Sequence, residues 1–435
     1  MMKSLSFILL FSSFILSTIP FSLSEIKNTK ILDDSRPMIL FERFGYSKGG
    51  HASVVVQNVT WKSRHSKSPL NLFSMGFFLA SDTSFPKILN ESEHFCVLSN
   101  RNVKLLFQFH SLSADSTING SADIEDPDEY NLVFGNCQPE FEISMHVHTE
   151  MYNLNNGGKD FLPAGQTVLP KLYFVFFLVY SCLTAVWLFI SINQRPKLEK
   201  IHVIIGALLL VKTMKMICAS EDKMFVRRTG TPHGWDVAFY IFGFLKGVML
   251  FTVIILIGTG WSILKPYLQE REKKVLMTVI PLQLLENIVY VVISETGPAT
   301  KDWMTWNQMF LLIDIVCCCA VVFPIIWSIR SLREASKTDG KAAKNLKKLT
   351  LFKQFYIVLV GYLYFTRILV PATGALINYR FEWLITVLAE GASLGFYLFI
   401  FCNFQPVEKN PYLVIGDDEE NEASQILEED DAFEL

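Results

Sequence analysis

A chain of 435 residues that is 51% hydrophobic and 13% aromatic, with a mean hydropathy of +0.31, is not an ordinary water-soluble protein of two or three domains. The formal net charge of −3 says little as a sum, because the charge is distributed very unevenly. No nucleic-acid partner is expected of it, and no cofactor-binding motif is evident.

The N-terminus, "MMKSLSFILLFSSFILSTIPFSLS", has one lysine, a short apolar run and small residues before Glu25. This predicts a signal peptide over 1–24; an eighth membrane helix is the alternative, disfavoured by Pro20 and the polar exit. Residues 25–168 then read as a β-rich lumenal or extracellular domain. "HASVVVQNVTW", "NLFSMGFFLAS", "NVKLLFQFH", "EYNLVFGNC" and "FEISMHVHTEM" are short β-branched or aromatic segments separated by Gly, Ser, Asn and Asp clusters, a spacing that suits a β-sandwich. Cys96 and Cys137 lie here, where an oxidising compartment permits a disulfide. Asn58, Asn90 and Asn119 each open an Asn-x-Ser/Thr glycosylation acceptor.

Seven apolar runs follow within 169–404: about 172–192, 203–219, 237–263, 275–294, 304–329, 351–372 and 383–404. Each is near the ~20 residues that cross the hydrocarbon core. The first, third and fifth connections carry fourteen lysines and arginines against five in the second, fourth and sixth. The odd connections are therefore expected in the cytosol, with the N-terminus lumenal and the C-terminus cytosolic. The fold class expected is an α+β membrane protein, an N-terminal lumenal β-sandwich followed by a seven-helix transmembrane bundle.

Lys212, Lys246, Glu286, Asp314 and Glu390 lie well inside these spans. At ~1.5 Å per residue, Asp314 is about 15 Å below the lumenal end of its helix, and Lys246 and Glu390 about 10–14 Å below theirs. Lys212 and Glu286 approach the midplane from the cytosolic side, while Lys215 and Arg367 are expected to snorkel at lumenal ends. Buried charges of this kind should face one another or water rather than lipid. Two readings stay open: a polar cavity that binds a ligand, a lipid headgroup or an ion, and a set of structural ion pairs.

Several apparent sites dissolve on inspection. Cys317, Cys318 and Cys319 fan out around a helix at about 100° per residue, so they cannot converge on one metal. "GASLG" at 391–395 has the spacing of a hydrolase nucleophile motif but sits within a helical run, where small residues favour close helix contact. His146 and His148 share one strand face without a third ligand. The chain lacks the acidic-Arg-aromatic and Asn-Pro-x-x-Tyr signatures of rhodopsin-like receptors.

Residues 405–435 form an acidic cytosolic tail; "GDDEENEASQILEEDDAFEL" has ten acidic residues and no basic one. Tyr412 and Ile415 fit a tyrosine sorting signal that pairs as an extended peptide with a clathrin-adaptor sheet edge.

"FLPAGQTVLPKLYFVF", "LKGVMLFTVIILIGTGWSILKPYLQEREKKVLMTVIPLQ", "VVFPIIWSIRSLREASKTDGKAAKNLKKLTLFKQFY", "YLYFTRI" and "NFQPVEKNPYL" together resemble the lung seven-transmembrane receptor family, nearest its plant candidate-G-protein-coupled-receptor branch. The resemblance runs from about 160 to 413 and implies a Golgi-dynamics-type sandwich on a seven-helix bundle. It further implies residence in the Golgi, trans-Golgi network, endosome or plasma membrane, and a receptor-like role in membrane trafficking. The partners expected are membrane lipid, a clathrin adaptor through the tail, a lumenal ligand and, on the alternative reading, the alpha subunit of a heterotrimeric G protein. A second alternative is ion conduction or lipid transport through the polar cavity. No catalytic residues are implied.

Overall fold

The computed structural model describes residues 26–63, 69–91, 96–112, 116–155, 157–194, 199–259, 270–319, 342–374 and 376–406. The expected signal peptide, most of the basic fifth connection, Tyr412, Ile415 and the acidic tail lie outside them.

Nine strands build two facing antiparallel sheets. β1 (Ile26–Asp34), β8 (Phe141–Asn155), β3 (Gly50–Ser63) and β6 (Ile118–Ile124) pair in that order, with β9 (Gly158–Asp160) added along β8. The second sheet runs β2 (Met38–Gly45), β7 (Glu129–Asn136), β4 (Met75–Ser81), β5 (Lys104–Gln108). Because side chains alternate across a strand, β8 turns Phe141, Ile143, Met145, Val147 and Met151 inward while His146 and His148 face out. These meet Phe77, Leu79, Leu132 and Phe134 of the other sheet in one core.

β4 is buried on both faces. Its second face lies under α1 (Phe85–Glu91) and residues 97–98, where Phe78, Ala80 and Val133 form a separate small core with Ile88. Cys96 and Cys137 are disulfide-bonded at the edge of that core, with Cα atoms 5.3 Å apart.

The membrane half comprises α2 (Leu169–Asn193), α3 (Lys200–Thr229), α4 (Trp235–Thr259), α5 (Glu270–Thr296), α6 (Trp303–Cys319), α7 (Ala342–Tyr364), α8 (Val370–Gly374) and α9 (Trp383–Phe404). Among the described residues, six helical segments are long and apolar enough to cross a membrane, α7 and α8 counting as one, and α6 is a shorter apolar helix whose predicted continuation lies outside those residues. Helices α2 to α5 pack in sequence, and α9 closes the arrangement against α2 and α7.

Two departures from regular helix matter for the interior. α3 continues ten residues past its apolar run, through Glu221, Asp222 and Lys223, and stops where Gly230 takes the left-handed conformation (φ +75°). Between α7 and α8 the chain widens into a π turn, Phe365–Leu369, in which the Val370 N–H bonds to the Phe365 carbonyl. Pro371 follows directly; its ring cannot tolerate a regular α-helical carbonyl at Arg367, and the wider turn relieves that clash.

A candidate polar site inside the helical bundle

The five charges expected to share one site divide into two clusters. In the first, Asp314 on α6 and Glu286 on α5 converge on the Arg367 guanidinium, with Nη1 2.6 Å from Asp314 Oδ1 and 3.2 Å from Glu286 Oε1. Gln283, one turn before Glu286 and just past Pro281, donates to Glu286 Oε2 and to Cys317 Sγ. The counter-ion of Asp314 is thus Arg367, which was not among the five charges expected to share one site. Arg367 was expected to snorkel to the lumen; instead the π turn carries it and it serves as counter-ion to two carboxylates.

In the second cluster, Lys212 Nζ lies 2.5 Å from Glu390 Oε2, and the lysine is fully buried. Lys215, one turn along α3, and Lys246 on α4 also act electrostatically on Glu390. Neither has a hydrogen bond or an ion pair among the described residues; Lys215 instead lies over the Phe239 ring at 4.8 Å. Lys215 was likewise expected near a helix end, but α3 runs on to Thr229 and leaves it mid-helix. Around the same carboxylate stand Tyr180 and Tyr397, ring centroids 5.7 Å apart, with both phenol hydroxyls buried and without a hydrogen-bond partner among the described residues. Lys212 is thus paired with this carboxylate, while Lys215 and Lys246 lie close enough to act on it without reaching ion-pair distance. Each uncompensated lysine at this depth costs about 3 kcal/mol on insertion scales, so the arrangement is far from neutral bookkeeping.

Other sequence-proposed residues fall elsewhere. Asn58, Asn90 and Asn119 are exposed, on a β3 bulge, at the end of α1 and on the edge strand β6. His148 Nδ1 lies 2.7 Å from Asn28 Oδ1, and no group of three metal-binding side chains occurs among the described residues. Cys317 is buried, Cys318 half-buried and Cys319 exposed, as a fan would be. Ser393 donates to the Ala389 carbonyl at 2.9 Å within its own helix. Among the described residues, Gly391 and Gly395 face open space rather than a neighbouring helix.

The sandwich is seated on three connections at one end of the bundle, a seam that sequence reading did not anticipate. At the α3–α4 connection, Asp160 takes Arg227 Nε and Nη2 at 2.9 Å, and the Phe161 N–H bonds to the Arg227 carbonyl. At the α5–α6 connection, Ala299 enters the sandwich core, Arg36 donates to its carbonyl at 2.5 Å, and Lys301 reaches the Asp33 carbonyl at 2.6 Å. At the α8–α9 connection, Gln166 donates to Glu382 at 3.1 Å, and Tyr379 packs so tightly that a side chain at Gly165 would strike its carbonyl. Burial opposes ionisation of Asp34, but Arg36 and Lys301 more than offset it and hold the carboxyl below its ordinary range. Glu129, near Glu382, is pushed above its ordinary value by burial, with Arg43 opposing.

With this geometry established, comparison with known proteins is informative. Residues 168–411 match the family described as GOST, seven transmembrane domain, and residues 27–153 match the CAND6/7 N-terminal domain. A protein of Arabidopsis thaliana named candidate G-protein coupled receptor 6 is 46% identical over 413 residues, covering 93% of this chain and 95% of the relative.

Proposed function

The chain belongs to the GOST seven-transmembrane family, and on that premise we propose that it is a non-enzymatic, receptor-like protein of the secretory and endosomal membranes that acts in membrane trafficking. Its sandwich recognises a lumenal partner, its bundle holds a polar site, and Tyr412 to Ile415 engages clathrin-adaptor machinery. The observation that carries this reading is the seam. A recognition module touching three bundle connections is positioned to bias helix packing when it is occupied.

The test is to replace Tyr412 by Ala in the full chain and follow its steady-state distribution. The expected outcome is redistribution toward the cell surface with unchanged thermal stability; an unaltered distribution would remove the trafficking role. A second reading, coupling to a heterotrimeric G protein, is favoured by the name of the Arabidopsis relative and by the basic third and fifth connections. It predicts nucleotide exchange on a G-protein alpha subunit that depends on occupancy of the lumenal domain.

A further inference from the structure

We infer that Lys212, Lys215, Lys246, Tyr180 and Tyr397, gathered around Glu390, form a binding site for an anionic oxygen-rich group, a phosphate or a carboxylate. This deepens the reading of the bundle as a ligand-holding receptor, but it does not depend on Tyr412 or on G-protein coupling.

The charge balance carries the argument. One carboxylate satisfies Lys212 and leaves Lys215 and Lys246 with no opposite charge at ion-pair distance among the described residues. The neighbouring triad does not supply what is missing, since its two carboxylates are already held by Arg367, and Arg367 itself repels Lys246. A bilayer interior offers no bulk water to solvate such cations, so an anion is the natural complement.

The unpartnered phenols are a second, independent sign. Buried hydroxyls nearly always find an acceptor, yet those of Tyr180 and Tyr397 have none among the described residues, while both residues sense the Glu390 charge. Among the described residues the local inventory is thus rich in donors and poor in acceptors: three lysine amines and two phenols around the Glu390 carboxylate. A phosphate or carboxylate brings acceptor oxygens and negative charge together, and would take charge-assisted hydrogen bonds from these groups. A cation or a neutral apolar ligand fits neither property.

The group could arrive on a lipid headgroup or as a free anion, and the experiment separates the two. The full chain is purified into phosphatidylcholine nanodiscs. One arm titrates inorganic phosphate; the other uses nanodiscs doped with phosphatidic acid, and both are read by thermal unfolding and native mass spectrometry. A saturable rise in unfolding temperature is expected in one arm, and which arm responds identifies the source. Lys215→Gln and Lys246→Gln should each weaken the response about tenfold or more, the loss of one charge-assisted bond. Lys200→Gln, at the exposed cytosolic start of α3, should leave it unchanged. No response in either arm, or equal responses from the wild type and the two lysine variants, overturns the inference.

A further variant keeps the test decisive if the glutamine changes impair folding. Lys246→Met removes an uncompensated cation while keeping its volume, so the anion-free variant should unfold at a higher temperature than the wild type and no longer respond to the anion. An anion-free variant that unfolds at a lower temperature but keeps the full response would also overturn the assignment.

Discussion

The seam and the bundle interior handle charge in opposite ways. At the seam Asp160 meets Arg227, Asp34 meets Arg36, and Glu382 takes a hydrogen bond from Gln166, all near water. Inside the bundle, one cluster is held together by its own guanidinium and the other has more cations than any of its residues can match. The difference teaches that mutual pairing marks a joint, whereas lysines with no opposite charge at ion-pair distance mark a place suited to an anion.

Breaking the paired interior cluster should have the largest effect. Arg367→Met leaves Asp314 and Glu286 facing each other without a cation and should cost about 3–5 kcal/mol, seen as a large fall in unfolding temperature in nanodiscs. If stability barely changes, the triad is not a joint and the contrast collapses. Asp160→Asn should cost less, about 1–3 kcal/mol, because Arg227 is partly exposed and keeps some solvation. Limited proteolysis should then cut first between the sandwich and α2.

A smaller effect concerns pH. Because the Glu129 carboxyl is raised in the folded state above its ordinary 4.5, the folded chain binds more protons than the unfolded chain between those two values. Its contribution to stability is therefore full below the ordinary value and is lost as pH rises through the folded one. Asp34 has the opposite sign, contributing above its ordinary 3.8 and losing that only as pH falls through a lower folded value. Glu129→Gln should flatten the pH dependence of unfolding temperature above 4.5, and an unchanged slope would assign it to another group. The smallest stability effect is expected from Tyr180→Phe. Removing a buried hydroxyl that has no partner should alter stability by less than about 1 kcal/mol, while weakening anion binding.

The sequence revealed some of this and concealed the rest for physical reasons. β3, β4, β5, β7 and β8 announce themselves through runs of Val, Phe and Met, many in alternation. β1, "IKNTKILDD", and β6, "INGSADI", bury so few apolar residues that their strand character comes from the neighbours they pair with. Membrane spans follow from composition, but α3 outruns its apolar window because Glu221 to Arg228 continue the helix toward the sandwich. The midplane charges are visible as a set, yet their partners depend on helix rotation, which residue order does not encode. Arg367 was misplaced because its depth was measured along a regular helix. Pro371, four residues on, was the available signal that the helix there is not regular.

The seam also bears on how this architecture can be rebuilt. The sandwich and the bundle match separately described families, which invites the exchange of one N-terminal module for another on a common set of helices. Yet Ala299 is part of the sandwich core, and Gly165 leaves room for the Tyr379 carbonyl and for nothing larger. The boundary of the interchangeable unit therefore does not coincide with the end of the last strand. A working chimaera must transplant the sandwich-facing tips of three helical hairpins together with the module, so the heritable piece is discontinuous in sequence although it is contiguous in space.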